Sequence, residues 1–242
     1  MRVAIISDIH GNATAFEAVL ADIEKHAGVE AIFCLGDSIG YGPEPEKVIS
    51  MLMIHQIPSV LGNHELAINQ PDMLSWFNPL ARQSLEKTTD FLSETSKAYI
   101  AEFPTSLTID DCRLVHGFPP DSPTTYLFEL SPDDIKKALI GLEERLVFVG
   151  HTHELMIFET DGETITVDPL GREILRLDPK RKYLINIGSV GQPRDGDNKA
   201  KYIIWDDRRN ELDVRFVSYD INATIEKIYQ AGLPEQHAWR LL

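Results

Sequence analysis

Long apolar runs are missing from this 242-residue chain. No stretch approaches the roughly 20 apolar residues that a membrane-spanning helix needs, which argues against a membrane protein. The first residues form a strand-like run from Arg2 to Ile6, without the basic start, apolar segment and small-residue cleavage site of a secretory signal. We therefore expect a cytoplasmic protein with no membrane partner.

Cysteine is also scarce, with two residues in the whole chain. Cys34 and Cys112 both lie in strand-like apolar runs, where a buried free thiol is more common than a disulfide. Two free thiols agree with a reducing compartment, so the sequence argues against a secreted, disulfide-bonded protein.

Basic residues are outnumbered, because 23 Lys and Arg stand against 38 Asp and Glu and give a formal net charge of −15. Non-specific affinity for nucleic acid comes from Lys and Arg that displace phosphate counterions, so this charge argues against a duplex nucleic acid partner. Part of the acidic excess could belong to a metal site, where bound cations would offset it. The rest is expected on a solvated surface.

The chain is predicted to form one domain over residues 1–242, since α/β folds of this size are commonly undivided and no linker or repeat is visible. Its first third alternates strands and helices, including a short third strand at 58–61, which favours parallel pairing. A helical insertion at about 66–103 follows, expected as packing helices or, alternatively, as one wall of a substrate cleft. The second half is rich in short strands that would close a sandwich.

Five predicted strand ends carry metal-binding side chains beside glycines, which let backbones approach closely. The segments are 7–12 (Ser-Asp-Ile-His-Gly-Asn), 36–37 (Gly-Asp), 62–65 (Gly-Asn-His-Glu), 116–117 (His-Gly) and 150–153 (Gly-His-Thr-His). A single Asp-x-His pair is weak evidence, but five such strand ends together predict a two-metal hydrolase. Oxygen and imidazole ligands without thiolates suit Mn, Fe or Zn ions that activate water against a phosphate ester. The proline-containing loop 117–125 is expected to lie over this site.

These segments resemble the calcineurin-like metallophosphoesterase superfamily, whose pattern Asp-x-His, Gly-Asp, Gly-Asn-His-Glu, His and Gly-His-x-His is met without a gap. The resemblance spans nearly the whole chain. It implies an α/β (α+β) fold, a four-layer αββα sandwich of two mixed sheets flanked by helices. It also implies two divalent metal ions, with Mn favoured over Fe, Zn, Ni and Co, and attack by a hydroxide that bridges them.

The resemblance also assigns the metal ligands. It implies that Asp37 bridges two ions, which a shared carboxylate can hold about 3.5–4 Å apart. The remaining ligands would be Asp8, His10 and His153 for the first ion, and Asn63, His116 and His151 for the second.

His64 and Glu65 are the candidate catalytic residues that follow Asn63. By resemblance, His64 would contact the phosphoryl oxygen or protonate the leaving oxygen; a third ligand to the second ion is the alternative. Glu65 could orient the His64 imidazole and raise its pKa. The remaining histidines, His26, His55 and His237, are treated as non-functional.

Two loops narrow the branch of the superfamily. The segments 36–43 and 186–195 resemble a prokaryotic branch of small phosphodiesterases and diadenosine-tetraphosphate hydrolases. Gly40-Tyr41-Gly42 replaces the Asp-Arg-Gly of protein Ser/Thr phosphatases and symmetrical dinucleotide hydrolases, which argues against both activities.

The same loops supply candidate substrate-binding residues. Arg194 is the best basic candidate for a bidentate phosphate contact, with a structural pair to Asp195 or Asp197 as the alternative. Asn12 and Tyr41 could line the pocket, and Tyr41 could do so by stacking on a base or sugar.

We therefore expect a metal-dependent phosphoesterase that hydrolyses a small phosphodiester, phosphomonoester or dinucleoside polyphosphate. A nuclease is disfavoured because its extra DNA-binding segments and basic surface are missing. The contrasting class is a non-catalytic protein-interaction scaffold with the same fold. Such scaffolds typically lack one of the pattern's histidines, whereas this chain has them all. Self-association into a homo-oligomer is an open alternative.

Overall fold

Two mixed β-sheets lie face to face at the centre of the computed structural model, which describes residues Met1–Leu242. The strands are β1 (Arg2–Ile6), β2 (Ala31–Cys34), β3 (Ser106–Ile109), β4 (Cys112–Val115), β5 (Leu146–Val149), β6 (Leu155–Thr160), β7 (Ile165–Pro169), β8 (Ile174–Arg176), β9 (Lys182–Ile187), β10 (Ala200–Asp206) and β11 (Glu211–Val217). The helices are α1 (Ala13–Ile23), α2 (Pro45–Ile54), α3 (Asn63–Asn69), α4 (Pro79–Thr89), α5 (Glu94–Ala101), α6 (Pro132–Gly141), α7 (Ile221–Gln230) and α8 (Glu235–Trp239), with 3₁₀ helices at Pro71–Trp76 and Leu127–Glu129.

The strand order is β2-β1-β10-β11-β8 in the first sheet and β3-β4-β5-β9-β6-β7 in the second. β1 is parallel to β2 and antiparallel to β10. β4, β5 and β9 are parallel to one another, whereas β6 is antiparallel to β9. The predicted fold of two mixed sheets flanked by helices is therefore confirmed.

Alternating side chains place the sheets between two helical layers. On β1, Val3 and Ile5 pack into the core between the sheets, whereas Ala4 and Ile6 pack into the core that includes α1. β5 alternates in the same way between the inter-sheet core and a smaller core against α6. Burial of both faces explains why these strands are almost continuously apolar, as is typical of sheets covered by helices on their outer side.

The prediction of a third strand at 58–61 is wrong, because the structure has no strand there. Only one β-bridge forms, between Cys34 and Ser59. The pairing does not continue, because the N–H of Leu61 donates to the carbonyl of Pro104 at 2.7 Å and not to β2. Across the predicted helical insertion at about 66–103, the structure has α3, a 3₁₀ helix, α4 and α5, and Pro71 opens the 3₁₀ segment.

Two further findings concern the helices and the thiols. None of the eight α-helices combines the length and apolar character that crossing a bilayer requires. Cys34 and Cys112 are both buried free thiols, and burial raises their pKa values to about 11 and about 12.

Candidate metal centre

The carboxyl ends of β1, β2, β4 and β5 meet at one edge of the sandwich. They bring six candidate ligands together, each no more than 3% exposed: Asp8, His10, Asp37, His116, His151 and His153. Side chains from two different sheets therefore converge on one buried point, as the pattern of strand ends predicted.

Strained backbone aims these side chains inward. Asp8, His10, Asp37, His151 and His153 all have φ between 48° and 68°. This left-handed region is uncommon for residues other than glycine, and such strain persists where the surrounding structure overdetermines it. The turns after β1 and β2 hold each other in place, because the N–H of His10 donates to the carbonyl of Asp37 at 2.9 Å.

The ligands form two groups. In the first group, Nε2 of His153 lies 3.3 Å from Oδ1 of Asp8 and 3.1 Å from Nε2 of His10. In the second, Nε2 of His116 lies 3.1 Å from Nδ1 of His151 and 3.2 Å from Oδ1 of Asn63.

Asp37 lies between the two groups. Its Oδ2 is 3.6 Å from Nε2 of His10 in the first group and 3.3 Å from Nε2 of His116 in the second. Its Oδ1 accepts the backbone N–H of His64 at 3.0 Å, which fixes the carboxylate. One carboxylate oxygen is thus within reach of both groups, as a bridging ligand must be.

Backbone carbonyls set the tautomer of each histidine. Nδ1 of His10 donates to the carbonyl of Ile39 at 2.9 Å, and Nδ1 of His153 donates to that of Gln192 at 2.6 Å. In the second group, Nδ1 of His116 donates to the carbonyl of Leu35 at 2.7 Å, and Nε2 of His151 donates to that of Thr124 at 3.2 Å. A neutral imidazole that donates from one nitrogen presents a lone pair at the other. Such backbone contacts are typical of metal-binding histidines.

In each group, two imidazole nitrogens consequently face each other with their lone pairs at 3.1 Å. These nitrogens belong to His10 and His153 in the first group, and to His116 and His151 in the second. Neutral imidazoles in these tautomers cannot hydrogen-bond to one another, so each pair requires either a proton, as in an imidazolium, or a metal cation between its nitrogens. Oδ1 of Asp8, which is buried, also has no hydrogen-bond partner. The donor set therefore fits two divalent cations with nitrogen and oxygen ligands.

Electrostatics keep both carboxylates ionised. Burial alone would raise the pKa of Asp8 and Asp37, but His153 beside Asp8 and His116 beside Asp37 hold both pKa values well below the usual range. For His116, burial alone would lower the pKa, whereas Asp37 raises it to about 9. The centre thus carries concentrated negative charge that only imidazolium or a bound cation can balance.

His64 lies next to the centre without joining either group. It is 1% exposed, and its Nε2 is 3.9 Å from Oδ2 of Asp37. Nδ1 is buried without a hydrogen-bond partner, and burial lowers the His64 pKa to about 4. The ring is held by aromatic neighbours, with centroid distances of 4.7 Å to Tyr41 and 4.9 Å to Phe77.

Glu65 corrects a sequence-based expectation, because it does not contact the His64 ring. Its carboxylate instead accepts three backbone N–H groups, from Asp37 at 2.9 Å, Ser38 at 2.7 Å and Gly62 at 3.1 Å. Burial and the neighbouring Asp37 raise the pKa of Glu65 to about 7, against the opposing effect of the amides. Glu65 therefore fastens the Asp37 turn to the start of α3.

We expect the Glu65→Gln variant to unfold more readily, because an amide N–H₂ would face a backbone donor in a buried site. Measured by urea denaturation below the Glu65 pKa, where ionisation of the buried carboxyl does not weaken the wild type, the free energy of unfolding should fall by roughly 1–3 kcal/mol. Glu94, whose side chain is 91% exposed, provides the matched control Glu94→Gln, expected within about 0.5 kcal/mol of wild type. Unchanged stability combined with slow turnover would instead favour a contact with His64.

Tyr41 is more enclosed than a base-stacking residue should be. It is 9% exposed, and its ring lies 4.5 Å from His10 and 4.9 Å from His237, measured between centroids. His237 is itself buried, with Nε2 2.6 Å from Oγ of Ser84 on α4. No local sequence pattern predicts the contact between His237 and Tyr41, because α8 is a five-residue helix that is positioned by tertiary packing.

Glycine at position 40 makes room for His64. Gly40 has φ +81°, and a Cβ there would lie 2.1 Å from Nδ1 of His64. The Gly40-Tyr41-Gly42 segment is therefore shaped around the histidine.

Asn12 has a structural role that the sequence did not indicate. Its Oδ1 accepts the N–H of Ala15 at the start of α1 and the hydroxyl of Thr224, and its Nδ2 donates to the carbonyl of Gly191. At 2% exposure, this side chain ties three segments together, and the cavity that it borders beside His10, about 10 Å³, is too small for a substrate.

Arg194 is exposed at the rim of the centre and has no carboxylate partner. Its backbone N–H donates to the carbonyl of His153 at 3.3 Å, Nη2 donates to Oε1 of Gln192 at 3.0 Å, and Cζ lies 6.0 Å from the Tyr41 ring centroid. The alternative pairs do not form, because Lys201 contacts Asp195 at 2.6 Å and Lys199 contacts Asp197 at 2.9 Å.

The loop 117–125 borders the centre, as predicted. Its Thr124 carbonyl holds His151, and the next aromatic residue, Tyr126, stacks on the His151 ring with centroids 3.7 Å apart at 19°. Residues from the helical insertion line the same side, which agrees with the cleft-wall alternative.

The chain is similar to one protein superfamily and to several individual proteins. Residues 1–209 match the calcineurin-like phosphoesterase superfamily domain. Over 244 residues, the chain is 35% identical to an uncharacterised protein of Methanocaldococcus jannaschii, covering 99% of this chain and 96% of that protein. A 68-residue stretch, 27% of this chain and 24% of the relative, is 35% identical to the symmetrical bis(5′-nucleosyl)-tetraphosphatase of Delftia acidovorans.

Among solved structures, a metallophosphoesterase from Sphaerobacter thermophilus is similar over 100% of this chain and 98% of its own, with a TM-score of 0.86 and 33% identity. All seven candidate ligands fall within the matched residues 1–209.

Proposed function

The chain belongs to the calcineurin-like phosphoesterase superfamily, and on this basis we propose that it is a dinuclear-metal hydrolase of small phosphoric esters. The proposal rests on one observation: in each ligand group, two imidazole nitrogens face each other with their lone pairs at 3.1 Å. Without metal ions at this centre, each facing pair of buried imidazoles would have to be relieved by a proton, whereas two divalent cations would satisfy both pairs at once. Manganese is the favoured ion, and the ligand set also suits Fe, Zn, Ni and Co.

The ligand roles follow the two groups. Asp8, His10 and His153 would hold one ion; Asn63, His116 and His151 would hold the other. Asp37 would bridge them. When bound, the two ions supply Lewis-acid activation of water and of the phosphate ester.

The other side chains would act on the substrate. Nε2 of His64 lies 3.9 Å from Oδ2 of Asp37 without joining either ligand group, so we infer that it contacts a phosphoryl oxygen or the leaving oxygen. Glu65 would keep the bridging Asp37 in place through the backbone. Arg194 would bind the phosphate from the rim.

A small substrate is supported by the site's shape and charge. The candidate ligands are almost completely buried, and the chain carries a net charge of −15, which disfavours a long polyanion. A phosphodiester, a phosphomonoester or a dinucleoside polyphosphate would suit the site. The short match to a symmetrical tetraphosphatase is compatible with the dinucleoside polyphosphate class, whereas Gly40-Tyr41-Gly42 argues against symmetrical cleavage.

A non-catalytic scaffold is the contrasting function. Nε2 of His64 faces the centre without belonging to either ligand group, and the Arg194 guanidinium at the rim has no carboxylate partner; a scaffold would need neither arrangement. They argue for catalysis.

Hydrolysis of bis(p-nitrophenyl) phosphate by purified protein tests the proposal. We expect turnover after Mn loading, loss of turnover after chelation, and recovery when Mn is added back. Turnover that chelation does not affect, or no turnover with any of the five metals and a panel of nucleotides, would contradict it.

We expect Arg194 variants to separate a bidentate contact from simple attraction. Arg194→Ala should lower kcat/KM by roughly 10- to 100-fold, the range expected for losing a hydrogen bond to a charged group. Arg194→Lys keeps the charge but loses the planar geometry, so it should recover only part of the loss.

Arg208 offers a control, because it is exposed in the β10–β11 turn, at the opposite end of the strands from the metal centre. Arg208→Ala should leave kcat/KM unchanged. If both Arg194 variants keep the wild-type kcat/KM and metal content, the loop formed by residues 188–199 does not contact the substrate.

A further inference from the structure

A cavity of about 270 Å³ opens directly beside the second ligand group. Asn63 and His151 line its inner end. Trp76 and Phe77, from the helical insertion, line one wall, and Tyr126 lines another. The cavity is therefore continuous with the metal centre.

The aromatic walls are built onto the centre. Phe77 packs edge-on against His64 with centroids 4.9 Å apart, and Tyr126 stacks on His151 at 3.7 Å. Trp76 is different, because 71% of its surface is exposed and no other side chain covers its ring in an aromatic contact. A large exposed indole at a pocket rim is the kind of surface that ligands cover.

No residue that lines the cavity is acidic or basic except the imidazole of His151. Such a lining suits a neutral group, and it disfavours a second phosphate or a charged peptide side chain. The volume lies near the lower limit of about 300 Å³ for small-molecule sites, enough for one ring system but too small for a nucleic acid strand. Asn78 at the rim could offer its amide to ring heteroatoms, since its Oδ1 already caps α4.

We propose that this aromatic slot, formed by Trp76, Phe77 and Tyr126, binds a nucleobase-like ring of the substrate while the phosphate lies at the metal centre. The inference rests on the proposed function and narrows it to nucleotide-like esters. Stacking on an aromatic side chain is tolerant of base identity, because every base has a π-face. The slot therefore selects for an aromatic ring and not for one particular base.

Calorimetric binding to Mn-loaded protein tests the slot independently of turnover. The probes are adenosine 5′-monophosphate and ribose 5-phosphate, which share the sugar phosphate and differ by the base. We expect the nucleotide to bind roughly 5- to 150-fold more tightly, the range that stacking of one base gives. In Trp76→Ala this ratio should fall to about twofold or less, and Trp76→Phe should restore most of it.

Trp239 provides the matched control, because it is another exposed tryptophan, 56% exposed, that does not line the cavity. Trp239→Ala should keep the wild-type ratio. Equal affinities for the two probes, no detectable nucleotide binding, or a ratio that survives Trp76→Ala would overturn the assignment. A normal ratio in a protein without metal-dependent hydrolysis would support the slot and contradict the proposed function.

Discussion

Asp37→Asn should abolish hydrolysis and remove at least one of the two metal ions. Oδ2 of Asp37 is the one carboxylate oxygen placed near both ligand groups, 3.6 Å from His10 and 3.3 Å from His116. An amide nitrogen in its place would point donor hydrogens at one group and could not carry the negative charge that two dications share. We expect kcat to fall below detection and metal content, measured by mass spectrometry of the purified protein, to fall to one ion or fewer per chain.

The control for this experiment is Asp133→Asn, since Asp133 is 71% exposed on α6 and pairs only with Lys136. It should retain two ions and normal turnover. Two fully occupied ions with normal turnover in Asp37→Asn would rule out the bridging role.

His64→Ala should leave both metals bound and slow turnover by roughly 10²–10⁴, the usual contribution of a positioned acid or base. His64 lies against Asp37 without belonging to either ligand group, so its removal need not release an ion. The loss should be smaller for substrates whose leaving group, such as p-nitrophenolate, needs no protonation. Metal content and kcat are measured on the same preparations.

His55 is an exposed histidine at the end of α2, and His55→Ala serves as the control. It should match wild type with every substrate. Loss of a metal ion from His64→Ala would show that His64 is a ligand, which was the alternative left open by the sequence.

The ligand-bearing strand ends were predictable because two simple rules act together. Parallel strands place their carboxyl ends at one edge, and glycine-flanked turns there admit polar side chains. The short, fully apolar run of β5 and the close spacing of His151 and His153 after it therefore locate two ligands without any tertiary information.

Other features depend on contacts that no local pattern encodes. Glu65 follows His64 directly in the chain, which suggests a pair, yet the turn of α3 points the carboxylate back to the amides of the Asp37 turn. Asn12 looks like a loop residue near a site, but its side-chain oxygen accepts hydrogen bonds from the start of α1 and from Thr224 on α7.

The aromatic slot was missed for a similar reason. Trp76 and Phe77 fall in a helical segment where apolar residues are ordinarily assigned to the core, and the sequence does not show that Pro71 starts a 3₁₀ turn there. The available signal was position, because two adjacent aromatic residues precede Asn78-Pro79 in a break between helices, and such breaks are exposed.

Anomalous diffraction from crystals grown with Mn tests the central claim most directly. We expect two anomalous peaks about 3.5–4 Å apart, the spacing of a bridged pair, with Asp37 between them. One peak should lie against Asp8, His10 and His153, and the other against Asn63, His116 and His151. A single peak, or none, at full Mn loading would contradict the assignment of this centre as a dinuclear site.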